Sequence, residues 1–377
     1  MGKITLQAQL VWAVLALVVV LPVTATDDGA RDEAPELVVD HARLIAAMPD
    51  AVESVALLRV DQLRAEPFPL AEFAGEVVAS LLEPPGDTPG EVSLETFVLR
   101  EALRAEPIVL VMGGSEFNRP KVGPGGTEFN NRNLWVTSKP LTALQQQLRD
   151  GGGVAGELMR SEVRGYPVFS AEIEKSIEGG RDAVSYVVHV ALVGGQIILT
   201  ARCQDEMATM IDRLPFRDSV RNGDHDGVHG GADGGAQLPA RWVDAAGNLD
   251  VQGASIVLFR EYDPKTVESS SPMHPVIREQ LGITPARSLA LVMSDIDSMS
   301  ITARLAGAEL LDEQPRVTAA DVTSMIGSSG YSIRPAPDDD GLRGELHPID
   351  REEVEDRFRA LGLLLLLSRA FGAPFFI

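Results

Sequence analysis

The chain has 377 residues, and 45% of them are hydrophobic, which is enough apolar material for two domains of ordinary size. Its 55 acidic residues outnumber the 33 basic ones, so the formal net charge is −22. Such a surface repels nucleic acid and anionic lipid headgroups, and we therefore expect no nucleic-acid partner. The single cysteine, Cys203, excludes an intrachain disulfide.

The N-terminus has the layout of an export signal. Lys3 precedes the apolar stretch 10–21, and Val23 and Ala25 give the small-residue pattern that precedes a cleavage site. This stretch is shorter than the roughly 20 residues that span a bilayer, which favours a cleaved signal peptide over residues 1–25. We therefore expect an exported protein, periplasmic or extracellular. The alternative is an uncleaved anchor, and only then is a membrane contact expected.

The rest of the chain predicts two modules of the α+β class. A disordered acidic segment, 26–35, leads into module one at 36–216, and module two follows at 241–377. Between them, the Gly- and Asp-rich stretch 217–240 has almost nothing apolar to bury, which predicts a flexible linker. Each module is expected to be an antiparallel sheet with helices packed on one face.

Apolar periodicity and turn residues place the elements of both modules along the chain. Strands are predicted at 51–60, 107–112, 134–136, 163–171, 184–192, 196–201, 253–260, 288–294, 298–305, 330–335 and 342–347. Helices are predicted at 36–48, 69–82, from Ser93 through 98–103, up to Gly151, through 207–214, at 274–281, at 319–326 and from Asp350 onward.

Two pairs of similar segments, which occur in the same order along the chain, indicate that the modules are an internal duplication. Each VLREAL-like helix is followed by an apolar strand, and a further strand precedes it. The pairs are SVALLR at 54–59 with SIVLFR at 255–260, and VLREAL at 98–103 with VIREQL at 276–281.

A metal site is conceivable in the linker, although a solvated linker is favoured. His225 and His229 lie four residues apart with Asp226 between them, and imidazole and carboxylate ligands suit zinc or copper. A Gly-rich segment would lose chain entropy on forming such a site. Likewise, Asp338–Asp340 could attract calcium, but a polar hairpin loop explains these residues more simply. We therefore predict no metal and no cofactor.

Two patterns that could indicate an active site or a cofactor site occur in the wrong sequence surroundings. Gly151, Gly153 and Gly156 match a dinucleotide fingerprint, but they follow a predicted helix instead of a strand, which indicates a helix stop. Cys203 ends an apolar strand, so a buried structural thiol is favoured over a nucleophile activated by His189.

Two further segments have apolar surroundings that favour packing over function. His41 lies on the apolar side of its predicted helix, which favours a packed histidine over a ligand. The apolar tail 361–377 contains Arg369 and Pro374, which favours a core segment over a membrane span.

Three stretches resemble exported bacterial proteins of unknown function that are built from a repeated strand and helix module. They are LIAAMPDAVESVALLRVDQL at 44–63, GYPVFSAEI at 165–173 and VVHVALVGGQIILTARCQDEMATMIDRL at 187–214. The shared motifs are structural, so the resemblance implies an exported protein and supplies no catalytic residue.

From the sequence we expect a noncatalytic binding or assembly protein of the cell envelope or extracellular space. The alternatives are an extracellular hydrolase with paired carboxylates and a membrane-associated scaffold held by an uncleaved signal.

Overall fold

The structure, a computed structural model, describes residues 40–63, 93–114, 132–151, 153–176, 183–214, 237–261, 286–294, 300–309, 331–336 and 338–348, together with residues 284 and 298. Its helices are α1 (His41–Ala46), α2 (Val60–Leu63), α3 (Leu94–Arg104), α4 (Thr142–Asp150), α5 (Gln204–Arg213) and α6 (Ala240–Ala246). Its strands are β1 (Ser54–Arg59), β2 (Pro107–Gly114), β3 (Arg132–Thr137), β4 (Met159–Val163), β5 (Tyr166–Ser176), β6 (Ala183–Val193), β7 (Ile197–Ala201), β8 (Ile256–Glu261), β9 (Ser288–Met293), β10 (Ile301–Ala306), β11 (Tyr331–Ala336) and β12 (Gly341–Pro348).

All of these strands belong to one antiparallel sheet. Their order is β11-β12-β10-β9-β8-β1-β2-β3-β7-β6-β5-β4. Counted outward from the β1–β8 contact, one side runs β1, β2, β3, β7, β6 and the other runs β8, β9, β10, β12, β11. Each side therefore has three strands in chain order followed by a hairpin in reversed order, and the first side adds β5 and β4.

The β1–β8 contact joins the two halves of the chain at the centre of the sheet. Ser54 pairs with Arg260, and the ladder continues to Leu58, which pairs with Ile256. The Arg59 amide also donates to the Ser255 carbonyl at 2.8 Å. The strands of the two predicted modules thus share main-chain hydrogen bonds, and the described residues do not form two separate sheets.

Both faces of the sheet are buried, because central strands such as SVALLR and IILTA are apolar at successive positions and not only at alternate ones. On the first face, Leu58, Leu110 and Ile256 lie in one hydrophobic cluster with α3 and α4. On the second face, Leu57 and Val257 lie in another cluster with α1, α5 and α6. Helices therefore cover both faces, which differs from the single covered face expected from the sequence.

The helix ends follow local chemistry. The Asp40 side chain accepts a hydrogen bond from the Arg43 amide at 3.1 Å and so caps α1. Helix α4 ends at Gly151, whose φ of 72° is left-handed, with its amide bonded to the Gln147 carbonyl. Met207, Met210 and Ile211 form the buried stripe that holds α5 on the second face.

Most predicted strands are confirmed within three residues at each end, one predicted strand is wrong, and the helices α2 and α6 were not predicted. Residues 163–171 were expected to form one strand, but they turn back at Arg164 and Gly165, so that β4 and β5 form a hairpin. Helix α6 begins where the linker was expected to end, and the sequence predicted no helix there. The helices expected at 69–82, 274–281, 319–326 and beyond Asp350 lie outside the described residues, as do residues 1–39, most of the linker and the tail 361–377.

Candidate functional site

The metal-ligand candidates and the glycine motif give no site in the described structure. His225, Asp226 and His229 lie outside the described residues. Gly151 and Gly153 both have positive φ values, 72° and 83°, directly after α4, so the interpretation as a helix stop is confirmed. The described parts of the chain contain no group of three or more His, Cys, Asp or Glu side chains that could hold a metal ion.

The Asp-rich turn at 338–340 contacts arginines. The guanidinium of Arg304 bonds to both carboxylate oxygens of Asp338, at 2.9 and 3.2 Å, and Arg287 bonds to Asp340 at 2.6 Å. Arg304 and Asp338 are both buried, with side-chain exposures of 5% and 8%. These carboxylates are neutralised by fixed cations, so the turn is a structural junction, and the hairpin-loop interpretation of this segment is supported.

Cys203 is exposed, so the expectation of a buried thiol is wrong. Cys203 immediately precedes α5, between the end of β7 and the start of that helix. His189 pairs instead with a serine: its Nδ1 lies 2.7 Å from the Ser170 hydroxyl, directly across the β5–β6 ladder. The structure therefore brings His189 to a partner that the sequence did not indicate.

The Ser170–His189 pair has the distance of a nucleophile and its base but lacks the surroundings that such chemistry needs. Ser170 is only 4% exposed and lies in mid-strand, paired with Met159 on one side and His189 on the other. By the alternation of the β4–β5 ladder, the Ser170 amide and carbonyl point to Met159 of β4, so the Ser170 amide is not free to form an oxyanion hole. Burial lowers the pKa of His189, an effect that the Glu206 carboxylate opposes. The pair is best explained as a satisfied buried polar contact.

Other buried polar groups also have structural partners. His41 is fully buried, and its Nδ1 lies 2.8 Å from the Val251 carbonyl, which links α1 to the segment after α6. Burial lowers the pKa of His41, and the bond to Val251 opposes that effect. Arg132 forms a buried ion pair with Glu206 at the start of α5. The expectation of a packed His41 is confirmed.

The strand order ends at β11 on one side and at β4 on the other, and a partner strand could add to the outer edge of the sheet at β4. Nothing among the described residues pairs with the outer side of β4. Met159, at its start, is 48% exposed, and Arg160 and Glu162 are also exposed. We call the outer side of Met159–Val163 the β4 edge.

Strands β5 and β6 extend beyond their neighbours and form a two-stranded arm. Strand β4 covers β5 only as far as Ser170, and β7 covers β6 only from His189 onward. The pairing of β5 with β6 continues past both limits, from Ala171↔Val188 to Ser176↔Ala183. We call these residues, 171–176 and 183–188, the arm. At about 3.4 Å per residue, its six pairs extend roughly 20 Å.

The base of the arm is packed on the first face of the sheet. Ala171 and Val188 are 1% and 3% exposed and belong to the hydrophobic cluster of the first face, near α3. Farther out, neither strand has a third strand beside it in the part of the chain that the structure describes. Because isolated hairpins are marginally stable in water, such an arm is a natural place for a partner to bind.

The β4 edge was not predicted from the sequence, because residues 159–162 were not recognised as part of a strand. The signal was present: Arg164 and Gly165 lie between MRSEV and YPVF, and glycine at the second turn position suits a two-residue hairpin. Arg164 is an uncommon residue for the first position, which requires a positive φ, here 55°.

Comparison with known proteins supplies no function for these features. No model of a known protein family matches the chain, and no curated protein matches its sequence. Within the described ranges, no helix has the length and apolar character needed to cross a membrane.

Proposed function

We propose that this chain is an exported, noncatalytic binding or assembly protein of the cell envelope or extracellular space, and that it binds through the β4 edge and the arm. The observation that carries the proposal is the unpaired main chain of this region. An exposed strand edge presents N–H and C=O groups that an added strand of another chain can bond, and side chains at alternate positions then select the partner.

The state of the polar clusters favours binding over catalysis. The buried or clustered carboxylates of Asp338, Asp340 and Glu206 each pair with an arginine. A glycosidase-type pair needs two carboxylates that face a substrate and change protonation during the reaction, which arginine pairing opposes. No observation on the described residues favours the hydrolase alternative.

We further propose that the two halves are duplicated modules, joined edge to edge. The matching strand orders on either side of the β1–β8 contact support this, as does a short helix before each of these strands, α1 and α6. Module one then differs from module two by the added β4–β5 hairpin, so the β4 edge is a feature that the second module does not duplicate within the described residues.

The register changes how the two copies correspond. Aligning SVALLR with SIVLFR by sequence matches Leu57 with Leu258. In the structure, however, Leu57 lies directly opposite Val257, so Leu57 and Leu258 are on opposite faces of the sheet. A two-fold relation between the copies must preserve the face, which matches Leu57 with Val257 or Phe259 and excludes Leu258. The SVALLR and SIVLFR strings therefore share composition, while their structural equivalence is shifted by one residue.

Site-specific photo-crosslinking in intact cells tests the binding proposal. A photoreactive residue at Glu162, on the β4 edge, is expected to give a covalent adduct, because an added strand would lie within reach. The same residue at Val243, which is 50% exposed on α6 and far along the sheet from β4, is the control. Equal adduct yields at both positions, or none at Glu162, would contradict the proposal.

Sequencing the N-terminus of the mature protein tests export, which predicts cleavage after residue 25.

A further inference from the structure

We propose that the partner at the β4 edge is a second copy of this chain, paired antiparallel with β4 in a register centred on Ser161. This inference rests on the proposed binding role of the edge and names its occupant. It is carried by the pattern of β4 itself, Met-Arg-Ser-Glu-Val, in which opposite charges lie on either side of a central small residue.

The hydrogen-bond pattern of β4 fixes which residues can pair outward. The two-residue turn at Arg164–Gly165 makes Val163 and Tyr166 the first hydrogen-bonded pair of the β4–β5 hairpin. Because such pairs alternate along an antiparallel ladder, Ser161 also bonds to β5. The amides and carbonyls of Arg160 and Glu162 therefore point to the outer edge.

The proposed register uses these outward groups. Centring two copies on Ser161 places Arg160 opposite Glu162 of the second copy, and the symmetry places Glu162 opposite Arg160 of that copy. Both pairs fall at hydrogen-bonded positions, so each exchanges its two main-chain bonds. Met159, 48% exposed in the single chain, then lies opposite Val163 of the second copy. Main-chain geometry and side-chain order thus select the same register.

The side chains of Arg160 and Glu162 can each form the proposed ion pair with the second copy. One nitrogen of the Arg160 guanidinium donates to the Arg149 carbonyl at the end of α4, which orders the side chain and leaves further donors for a carboxylate. Glu162 has no ion pair with any residue that the structure describes. Opposite charges directly across a ladder stabilise it, and like charges destabilise it.

Natural edge strands commonly carry charged side chains, especially lysines, that hinder edge-to-edge association, and like charges directly opposite repel. The β4 edge carries one charge of each sign. In the proposed register, each Arg160 faces a Glu162 of the other copy, so both contacts are attractive. An unrelated extended segment could bond to the same main chain, but the charge order of β4 is complementary to its own sequence in the antiparallel register. The net charge of −22 on each copy opposes association over long distances, so the dimer should be weak and best observed near 0.15 M salt, where the Debye length is about 8 Å.

Sedimentation velocity on the purified chain, with a charge-swap series, tests the proposal. The unmodified chain is expected to dimerise with rising concentration. Arg160→Glu and Glu162→Arg each replace both attractive contacts by repulsive ones, so each should weaken the dimer about tenfold or more. The double variant Arg160→Glu/Glu162→Arg restores both contacts in reversed order and should dimerise again. Mixing the two single variants should give a heterodimer, since each supplies the charge that the other lacks.

Asp339→Arg, an exposed charge reversal on the β11–β12 turn, is the matched control and should leave the dimer unchanged. Circular dichroism of every variant checks that the fold is retained. A chain that stays monomeric at all concentrations, a dimer insensitive to the single reversals, or a double variant no better than the singles would overturn the inference. If the crosslink at Glu162 then joins a different protein, the proposed binding function stands and the second copy is excluded as its partner.

Discussion

At the scale of single residues, Arg304 shows most clearly how a buried charged side chain stabilises the fold. It extends from β10 and bonds to the Asp338 carboxylate, and it also donates to the Ala245 carbonyl at 3.1 Å and the Asp340 carbonyl at 3.2 Å. One guanidinium thereby ties the sheet to the C-terminal end of α6 and to the β11–β12 turn. The negative end of the helix dipole adds to the attraction.

Breaking this buried pair should be costly. Asp338→Asn leaves the buried guanidinium of Arg304 without its counter-charge, and we expect a loss of about 3–5 kcal/mol in the free energy of unfolding. Urea denaturation followed by circular dichroism measures it. Arg287→Met is the control, because Arg287 pairs with Asp244 and Asp340 at the same turn but is 58% exposed. The control should stay close to the unmodified protein, and similar losses in both variants would contradict the assignment of Arg304 as the buried tie.

At the scale of elements, the β4–β5 hairpin shows how backbone conformation creates the candidate site. Arg164 and Gly165 have φ values of 55° and 82°, as a two-residue turn with two left-handed positions requires. This turn folds β4 back along β5, and β4 becomes the last strand of the sheet. The same turn sets which amides of β4 point outward, so it also sets the register available to a partner.

The turn can be tested separately from its contacts. A Cβ atom at Gly165 would meet nothing within 4 Å, so Gly165→Ala changes only the backbone preference. We expect it to lower the free energy of unfolding by about 1–2 kcal/mol, the cost of a left-handed L-residue. Asp212→Asn, which removes the exposed ion pair with Arg164, should change the stability much less. Urea denaturation of both variants checks this, and an Asp212→Asn loss as large as that of Gly165→Ala would contradict it.

At the scale of the whole molecule, the continuous sheet implies that the two halves depend on each other. Each hydrophobic cluster contains residues from both halves, for example Leu58 with Ile256 on the first face and Leu57 with Val257 on the second. The β1–β8 ladder adds main-chain bonds at the centre. Unfolding one half would expose both clusters and an inner strand edge of the other.

We therefore expect the two halves to unfold in one cooperative transition. Trp135 on β3 reports the first half, and Trp242, fully buried on α6 and stacked on Phe259 at 5.6 Å, reports the second. In a chain that begins at residue 26 and so lacks Trp12, Trp135→Phe and Trp242→Phe each leave a single fluorescent reporter. Within each variant, the urea midpoint from fluorescence should coincide with that from circular dichroism. Two separated midpoints would show that the halves are independent domains.

The sequence by itself determined the local structure of this protein. The apolar runs of β1, β2 and β8 predicted strands, and Gly151 predicted the end of α4, because these signals depend on neighbours within a few residues. Where the local signal was unusual, prediction failed, as at the Arg164–Gly165 turn. Helix α6 was missed because it is only seven residues long, ARWVDAA, and directly follows the polar linker, so it is too short for a clear period.

Only the tertiary structure decided which elements meet. Side-chain periodicity shows which faces of a strand are buried, but it does not name the strand that pairs with its edge, since main-chain bonds are nearly independent of sequence. For that reason the β1–β8 junction, the helices on both faces and the partners of Arg304 and His189 could not be derived from the sequence. The position of β4 at the end of the sheet belongs to the same class, and the proposed pairing around Ser161 depends on it.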